Sequence, residues 1–488
     1  MRDVPLRLLV ISVLVGLLAA IIRFGIAWST GFDGLIGQDA YYYYEQGREM
    51  ALSFEHRGQD SIGLPALVAL VTLSFGMTPE LAQVVGLTMG SLTPTLVVLL
   101  AWALTRKMSV ATIAGLIVCL TPYHIRSSIV TMSDVPALFW VTSAMLCGVC
   151  YARRPRLFWM LSSVLLLTFA TMTRYVSCLA LLPVTAYAVV ADFRVPRLHV
   201  AGACVIGVIV AWPEIEHMRT NIPSLFIAMS WNPVNAIRSE FTTPDGLLSY
   251  PWPVLLMDLR TLGGWGFLNP VWAGLAVIGL WKLRGDKATL AFVIFWMAGL
   301  LAFLAGLPLV NPRYLMPLVV PLSICAAVGL ISVIEMAGPK TAALRIGWSV
   351  FILMGLSGFA YGTVRTVGEV LKRKDCELQV VKWINANIPA PSTTIIAFDV
   401  AHAARHYTYH RITHLHEFEI GETDLPQSPE AGVYLIWNEA HAGRIARRTP
   451  GSDDTIPRFT ENYKWLQDNV SKTALAQICG WDIFRLNQ

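Results

Sequence analysis

The sequence predicts a polytopic α-helical membrane protein with a soluble α/β domain at its C-terminal end. Of the 488 residues, 55% are hydrophobic and only 14% are charged. Soluble domains carry about 25% charged residues, so a soluble fold could not bury this much apolar surface. Apolar runs long enough to cross a bilayer recur as far as residue 363. After Tyr361 the composition becomes that of an ordinary soluble domain.

The apolar runs predict about eleven transmembrane helices, because a spanning helix needs about 20 mostly apolar residues. The predicted spans are residues 7–28, 81–105, 108–122, 134–152, 157–173, 176–191, 198–213, 265–281, 288–307, 315–335 and 346–363. The first run follows Arg2 and Arg7 and is longer than the apolar core of a signal peptide. It also lacks a clear small-residue cleavage site, so we expect it to be retained as a span.

Basic residues in the short loops predict the orientation of these spans, because Lys and Arg accumulate on the cytoplasmic side. One set of loops carries the basic residues Arg2, Arg7, Arg106, Lys107, Arg153, Arg154, Arg156, Arg194, Arg197, Lys282, Arg284, Lys287, Lys340 and Arg345. We therefore expect the N-terminus to lie in the cytoplasm. The membrane is expected to be a cell membrane such as a bacterial inner membrane. An odd number of spans then places the C-terminal domain outside the cytoplasm.

The opposite side of the membrane receives the long segments, so we expect a functional site on the outer face. These segments are residues 29–80, 123–133, 214–264, 308–314 and those after about 364. The predicted domains are a transmembrane domain, residues 1–363, with outer loops 29–80 and 214–264, and an extracytoplasmic α/β domain, residues 364–488. The apolar piece Ile62–Gly76 is short for a span and is expected to be an interfacial or re-entrant helix.

The C-terminal residues alternate between helical and strand patterns, which is typical of a small α/β layer domain. The predicted elements are a helix at Glu377–Asn387, a strand at Thr393–Phe398, a helix at His402–Tyr409, strands at Ile412–Phe418 and Val433–Trp437, a helix near Phe459–Asn469 and the apolar segment Leu475–Leu486. No glycine-rich phosphate loop opens any of these helices, which argues against a nucleotide site.

Charge, cysteines and histidines exclude some functions and leave others open. The net charge of +5 does not indicate nucleic-acid binding, because the basic residues lie in short clusters between apolar runs. Cys376 and Cys479 lie in the polar C-terminal region, where they either pair or remain separate thiols. Five histidines in the C-terminal domain are spaced as if to form a metal-binding stripe, but a predicted change from helix to strand would separate their rings, so no metal site is indicated. The histidines of that stripe are His402, His406, His410, His414 and His416.

Asp39 stands shortly after the first predicted span and is followed by four tyrosines and Glu45. A carboxylate at a membrane surface suits a general base, and aromatic rings with hydroxyl donors suit substrate contacts. Tyr41, Tyr42 and Glu45 are therefore candidate substrate-binding residues. The alternative is an interfacial aromatic belt with an aspartate that caps a helix.

The second outer loop contains His124 and ends at Asp134, at the mouth of a predicted span. Asp134 is a second candidate catalytic carboxylate, and His124 is a candidate substrate contact. Helix capping explains Asp134 equally well. Two aspartates, Asp39 and Asp134, at helix ends that face the same compartment are, however, more than helix capping requires.

Cationic residues recur beside apolar segments on the predicted outer face, namely Arg126, Arg174 and Arg313, with Tyr314 following the last of them. A planar guanidinium matches phosphate oxygens and is costly near a membrane unless it is paired. These residues either bind the phosphate of a lipid-linked donor or pair with Asp39, Glu45 or Asp134.

The third outer loop mixes charge with tryptophan, a composition that suits both sugar contacts and a membrane interface. Its residues of this kind are Glu214, Glu216, His217, Arg219, Trp231, Asn232, Arg238, Glu240, Tyr250, Trp252 and Trp265.

This layout resembles the GT-C glycosyltransferases, most nearly the protein O-mannosyltransferases and lipid A aminoarabinose transferases. The resemblance covers roughly residues 1–336 and implies a GT-C-like membrane domain. By this resemblance Asp39 is the catalytic base, Asp134 is the second acidic position, and Arg313-Tyr314 is the arginine–tyrosine pair of a later outer helix end. The protein mannosyltransferases carry Asp-Glu after the first span where this chain has Asp39-Ala40, which leaves the acceptor class open.

The resemblance implies an inverting transfer of a sugar from a polyprenyl-phosphate donor to an acceptor hydroxyl on protein, lipid or glycan. Cationic side chains would stabilise the leaving phosphate, so no cofactor is required, and a divalent metal is possible but not indicated. A lipid or sugar transporter is the main rival, and transporters place polar or broken helices near the bilayer midplane. An O-antigen-type polymerase or ligase is a further alternative that shares the lipid-linked donor.

Overall fold

The structure is a computed structural model that describes residues 5–54, 56, 61–193, 195–220, 231–243, 246–337, 342–389, 394–415, 433–438, 462, 464–468 and 471–487. The chain forms two compact units. The first unit comprises Met1–Gly34, Tyr43–Ile237 and Val254–Gly368, and the second comprises Leu35–Tyr42, Arg238–Pro253 and Glu369–Gln488. The division into a domain of residues 1–363 and a domain of residues 364–488 stays a prediction.

Helices make up most of the chain before the C-terminal strands. In order they are α1 (Leu6–Thr30), α2 (Gly37–Ser53), α3 (Gly63–Phe75), α4 (Pro79–Thr105), α5 (Met108–Leu120), α6 (Pro122–Ile129), α7 (Asp134–Arg153), α8 (Leu157–Thr173), α9 (Leu181–Val190), α10 (Arg197–Thr220), α11 (Val254–Leu262), α12 (Asn269–Lys282), α13 (Lys287–Ala305), α14 (Val319–Ala337), α15 (Ala342–Asn387) and α16 (Ala401–Tyr407). Short 3₁₀ segments lie at Tyr175–Ala180, Pro233–Ile237, Leu283–Gly285 and Pro312–Leu318.

The structure confirms a multi-pass helical membrane protein. Among the described residues, seven helices are long and apolar enough to cross a membrane, or eight if the bent pair α5 and α6 is one span. The sequence predicts about eleven spans, and several of the additional ones fall on shorter apolar helices. Leu157–Thr173 and Tyr175–Val190 are such shorter apolar helices, and α12 has only 14 residues.

Helix α3 matches the predicted interfacial or re-entrant segment. Its 13 residues are apolar, and about 20 are needed to cross a bilayer. Leu70, Leu73 and Phe75 are exposed on it, which suits a surface that contacts lipid. The membrane-depth placement of α3 stays a prediction.

The core of the first unit is built by helices in close contact. Helices α12 and α14 cross at Gly279, where a Cβ atom would overlap the carbonyl oxygen of Cys325. Small residues allow this approach, as is typical of helix pairs inside membranes. Buried apolar side chains such as Trp272, Phe292 and Trp296 fill the space around the pair.

The second unit contains the strands. A hairpin pairs β1 (Glu240–Thr243) with β2 (Gly246–Ser249). A five-stranded sheet is formed by β3 (Thr394–Ala397), β4 (Arg411–His414), β5 (Val433–Trp437), β6 (Ser471–Ile478) and β7 (Trp481–Asn487), in the order β4-β3-β5-β7-β6. The three strands β4, β3 and β5 are parallel, and β7 and β6 continue the sheet antiparallel.

Several predicted elements of the C-terminal domain are confirmed, and others are corrected. Helix α16 and strands β3 and β5 lie where the sequence places them. The predicted helix at Glu377–Asn387 is the last part of the 46-residue α15. The segment Leu475–Leu486 forms two strands joined by a turn at Cys479 and Gly480, both with positive φ. Of the predicted helix near Phe459–Asn469, residues 462 and 464–468 are described, and they are helical.

A disulfide joins Cys376 in α15 to Cys479 in the β6–β7 turn, with the two Cα atoms 5.7 Å apart. The sequence left open whether these thiols pair. The bond closes a loop of 103 residues within the second unit, which restricts the unfolded chain strongly.

Candidate functional site

In the first unit, Asp134 lies between two arginines from different parts of the chain. Arg174 donates a hydrogen bond to Oδ1 of Asp134, and Nε of Arg313 donates to Oδ2 at 3.1 Å. The side chain of Asp134 is fully buried, whereas 17% of each arginine side chain is exposed. The guanidinium of Arg174 also lies 4.5 Å from the centre of the Tyr314 ring. We call these four residues the Asp134 cluster.

Local sequence explains why these residues meet. Asp134 begins α7, where a carboxylate is favoured by the helix dipole. Arg174 directly follows the last residue of α8. Arg313 stands in the first turn of a 3₁₀ segment that Asn311 caps by accepting a hydrogen bond from the Arg313 backbone N–H. Each residue therefore stands at the end of an element, where side chains can converge.

The Asp134 cluster joins three residues that the sequence singled out separately. Of the two alternatives for Arg174 and Arg313, pairing with Asp134 is observed. A guanidinium has five N–H donors, so contact with one carboxylate does not exhaust it. Both arginines remain candidates for phosphate binding. Asp134 is committed to holding them, and this argues against a role for it as a proton acceptor.

Arg126 lies in α6 and belongs to a different arrangement. Its guanidinium is 4.9 Å from the centre of the Tyr123 ring, and that ring stacks on Phe267 with centroids 4.8 Å apart. Among the described residues, Nε of Arg126 is buried without a hydrogen-bond partner. Within the described part of the chain, Arg126 is held by aromatic contacts, and it remains a candidate for phosphate binding.

Asp39 lies in the first turn of α2 and is partly exposed. Its helix begins at Gly37, whose φ of +64° favours glycine. The backbone N–H of Gly37 donates to Glu377. This part of α2 belongs to the second unit. Asp39 therefore stands on a helix end that is fixed by a carboxylate far along the chain.

Two predicted substrate-binding residues are buried. Tyr41 is fully buried, and its hydroxyl donates to Glu377. His124 is also fully buried, and its Nδ1 lies 2.7 Å from the guanidinium of Arg23. Each side chain is needed to satisfy a buried charged group, which argues against direct substrate contact. Tyr42 and Glu45 are partly exposed and remain candidates.

Arg23 was missed by the sequence analysis. It lies within α1, is fully buried, and donates hydrogen bonds to Ser128 Oγ and to the carbonyl oxygens of Ala19 and Cys119. A lone arginine inside an apolar run is itself a signal, because a charge in a membrane segment must find partners. Its contacts tie α1 to α5 and α6.

Three further buried charged residues were also missed as site candidates. Glu377 and Lys374 lie on α15, and Asp258 lies on α11. Asp258 is 2% exposed and its Oδ2 has no hydrogen-bond partner among the described residues. Burial raises the pKa of Asp258 to about 7. Nothing in the local sequence distinguished these residues from surface charges.

No metal site is found among the described residues, since no three His, Cys, Asp or Glu side chains there are arranged to hold an ion. His402 and His414 have ring centroids 5.9 Å apart. The other members of the predicted stripe do not join them in a ligand set within this part of the chain. His416 lies outside the described residues.

Comparisons with known proteins agree with the resemblance seen in the sequence. The family model for dolichyl-phosphate-mannose-protein mannosyltransferase matches residues 81–198. No curated protein matches the chain by sequence. The matched segment includes α5, α6, α7 and α8, and thus Arg126, Asp134 and Arg174.

Solved structures show the same fold. ArnT from Cupriavidus metallidurans in the apo state has a TM-score of 0.63 at 16% identity, covering 95% of this chain and 97% of that chain. The same enzyme bound to undecaprenyl phosphate gives 0.63 at 16% identity, covering 98% of this chain and 97% of that chain. The archaeal oligosaccharyltransferase AglB from Archaeoglobus fulgidus, in complex with an inhibitory peptide and a dolichol-phosphate, gives 0.56 at 12% identity, covering 99% and 74%.

Proposed function

We propose that this chain, which has the GT-C fold, is an inverting glycosyltransferase. It moves a sugar from a polyprenyl-phosphate donor to an acceptor hydroxyl on the outer face of the membrane. Support comes from the similar structures, one of which holds undecaprenyl phosphate and another a dolichol-phosphate. The acceptor is a lipid, glycan or protein, and the sugar is a hexose or a pentose.

The proposed reaction is a single displacement. Asp39 accepts the proton of the acceptor hydroxyl, and the acceptor oxygen forms a bond to the anomeric carbon of the sugar. The bond between that carbon and the phosphate oxygen breaks on the opposite face, so the configuration inverts. The lipid phosphate leaves with the electron pair, and arginine side chains stabilise its negative charge.

The observation that carries this proposal is the Asp134 cluster within this fold. A buried carboxylate holds two guanidiniums from distant segments in fixed orientations. Fixed cationic donors cost little reorganisation when charge develops on a leaving group. We propose that Asp134 positions Arg174 and Arg313 for the phosphate, and that Arg126 contributes to the same role. Tyr314, Tyr42 and Glu45 remain proposed contacts to the donor or acceptor.

The disulfide supports the proposed orientation. Cysteines pair and stay paired in oxidising compartments such as the bacterial periplasm, and rarely in the cytosol. The bond between Cys376 and Cys479 therefore favours an extracytoplasmic location for the second unit. This agrees with the cytoplasmic N-terminus that the basic loops predict, and we propose a bacterial inner membrane as the setting.

The proposal is tested with the purified full-length protein in liposomes. The probes are undecaprenyl phosphates carrying ¹⁴C-labelled mannose or aminoarabinose, supplied with glycolipid and peptide acceptors. We expect label to move to an acceptor with release of undecaprenyl phosphate. Movement of intact labelled donor between leaflets, without transfer, would instead support the transporter alternative.

A further inference from the structure

The first turn of α2, which carries Asp39, is held by two charged residues of α15. Glu377 is 1% exposed. Its Oε1 accepts a hydrogen bond from the backbone N–H of Gly37 at 2.9 Å, and its Oε2 accepts one from the hydroxyl of Tyr41 at 3.2 Å. A helix N-terminus leaves backbone N–H groups without partners, and a carboxylate placed there also interacts favourably with the helix dipole. Glu377 thus caps α2 from 340 residues away.

Lys374 completes the arrangement from the preceding turn of α15. Lys374 is 7% exposed, and its ammonium donates hydrogen bonds to three oxygens. The acceptors are the carbonyl of Leu35 at 3.0 Å, the hydroxyl of Tyr41 at 3.3 Å and the hydroxyl of Tyr407 at 2.7 Å. An ammonium has three donors, so these contacts satisfy it fully.

Tyr41 links the two charged groups. Its hydroxyl accepts from Lys374 and donates to Glu377. The ring is fully buried and lies against His406 and Tyr407, with centroid distances of 5.7 and 6.2 Å. Positions 35, 37 and 41 are therefore each fixed, and Asp39 lies between them in the same helical turn.

We infer that Glu377 and Lys374 are positioning residues that set the place of Asp39. This inference rests on the proposed function of Asp39 as the base, and it assigns the C-terminal domain a part in the reaction. A displacement of about 1 Å in a catalytic group can cost about 10²-fold in rate. Loss of the Glu377 contacts is expected to release the start of α2 and to move the base by distances of that order.

The test compares Glu377→Ala, Glu377→Gln and Lys374→Met with Asp375→Asn. Asp375 is a matched control, since it lies on α15 two residues before Glu377, is exposed, and accepts a hydrogen bond from the exposed Gln379. Glu377→Ala is expected to lower kcat about 10²-fold with KM nearly unchanged, because the base moves while the donor site is intact. Glu377→Gln keeps an oxygen for Gly37 and should recover part of this loss. Asp375→Asn should behave as wild type.

A second readout does not depend on activity. Amide hydrogen exchange of residues 35–41 should accelerate roughly ten- to hundredfold in Glu377→Ala, as expected for loss of hydrogen bonds to a charged group. Unchanged exchange in Glu377→Ala and Lys374→Met would overturn the inference even if no substrate is found. Exchange that accelerates while kcat stays at the wild-type value would also overturn it.

A double variant separates this inference from the proposed function. If Glu377 acts through Asp39, then Asp39→Asn and Glu377→Ala together should be no slower than Asp39→Asn alone. Losses that multiply would show that Glu377 acts on something other than Asp39, and would overturn the inference. Full activity of Asp39→Asn would instead remove Asp39 as the base, while the exchange result would still report whether the contacts hold α2.

Discussion

The two acidic residues that the sequence singled out have opposite surroundings. Asp134 is fully buried and its carboxylate is bound by two arginines. Asp39 is partly exposed, and the structure fixes its neighbours Gly37 and Tyr41 through Glu377. Both oxygens of the Asp134 carboxylate accept hydrogen bonds from guanidiniums, so this side chain is engaged in holding the two arginines. Two carboxylates at helix starts therefore have different proposed roles: Asp134 positions cationic side chains, and Asp39 accepts a proton.

The largest effect is expected at Asp39. Asp39→Asn should lower the transfer rate by about 10²–10⁴-fold, the usual contribution of a general base, with thermal stability unchanged. Rates and melting temperatures of the purified variant measure both. Glu49→Gln, later in the same helix, is the control and should keep its rate. A variant with wild-type transfer would show that Asp39 is not the base and would break the comparison.

At Asp134 the expected effect is on stability as well as on rate. Asp134→Asn leaves two guanidiniums without their carboxylate, and removing one partner of a buried ion pair costs about 3–5 kcal/mol. Thermal unfolding in detergent should show this loss. The exposed pair Glu216 and Arg219 is the matched control, since surface pairs contribute about 0–1 kcal/mol. Wild-type stability with a large loss of transfer would instead give Asp134 a chemical task.

Asp258 is a further buried carboxyl, and burial alone raises its pKa. Folding raises its pKa from 3.8 to about 7, so in that window the unfolded chain binds fewer protons than the folded one. Stability should therefore fall as pH rises through the window and level off above it. The loss is at most about 4 kcal/mol, at about 1.4 kcal/mol per pKa unit.

Melting temperatures of Asp258→Asn and wild type between pH 5 and pH 8 measure this effect, because this range includes the pKa of about 7. The variant should lose less stability with rising pH than wild type does. Asp375→Asn, which removes an exposed carboxylate, should follow the wild-type curve. Parallel curves for Asp258→Asn and wild type would show that Asp258 is charged in the folded protein.

The smallest effect is expected at Arg126, whose guanidinium lies over the Tyr123 ring. Arg126→Lys keeps the charge but loses the planar group that lies over the ring, a contact of about 1 kcal/mol. The KM for the labelled donor should rise roughly fivefold, as about 1 kcal/mol implies, with kcat nearly unchanged. Arg219→Lys, at an exposed position, is the control. An unchanged KM would remove Arg126 from the donor site.

The membrane fold could be predicted from the sequence because hydropathy and basic loops are local signals. The span count could not, since whether 14 or 17 apolar residues cross the bilayer depends on how neighbouring helices pack. Strands β3 and β5 were placed correctly because buried strands read as short apolar runs. The β6–β7 hairpin was missed because its turn interrupts an apolar pattern by only two residues.

The candidate site was predictable in its residue types but not in its contacts. Asp134, Arg174 and Arg313 stood out as charged residues beside apolar segments, and their convergence needs the tertiary fold. Glu377 and Lys374 looked like ordinary charges on a helix. Their burial depends on residues about 340 positions earlier in the chain, a separation that no local pattern reports. Arg23 was the exception, since a charge inside an apolar run is visible in sequence.

The anomeric configuration of the product shows whether the sugar is transferred in a single displacement. A donor of known configuration is supplied to the purified protein, and the glycosidic linkage of the product is determined by nuclear magnetic resonance. A single displacement with Asp39 as base predicts complete inversion, with one polyprenyl phosphate released for each sugar transferred. A product with retained configuration would require a covalent sugar–enzyme intermediate and would contradict this account.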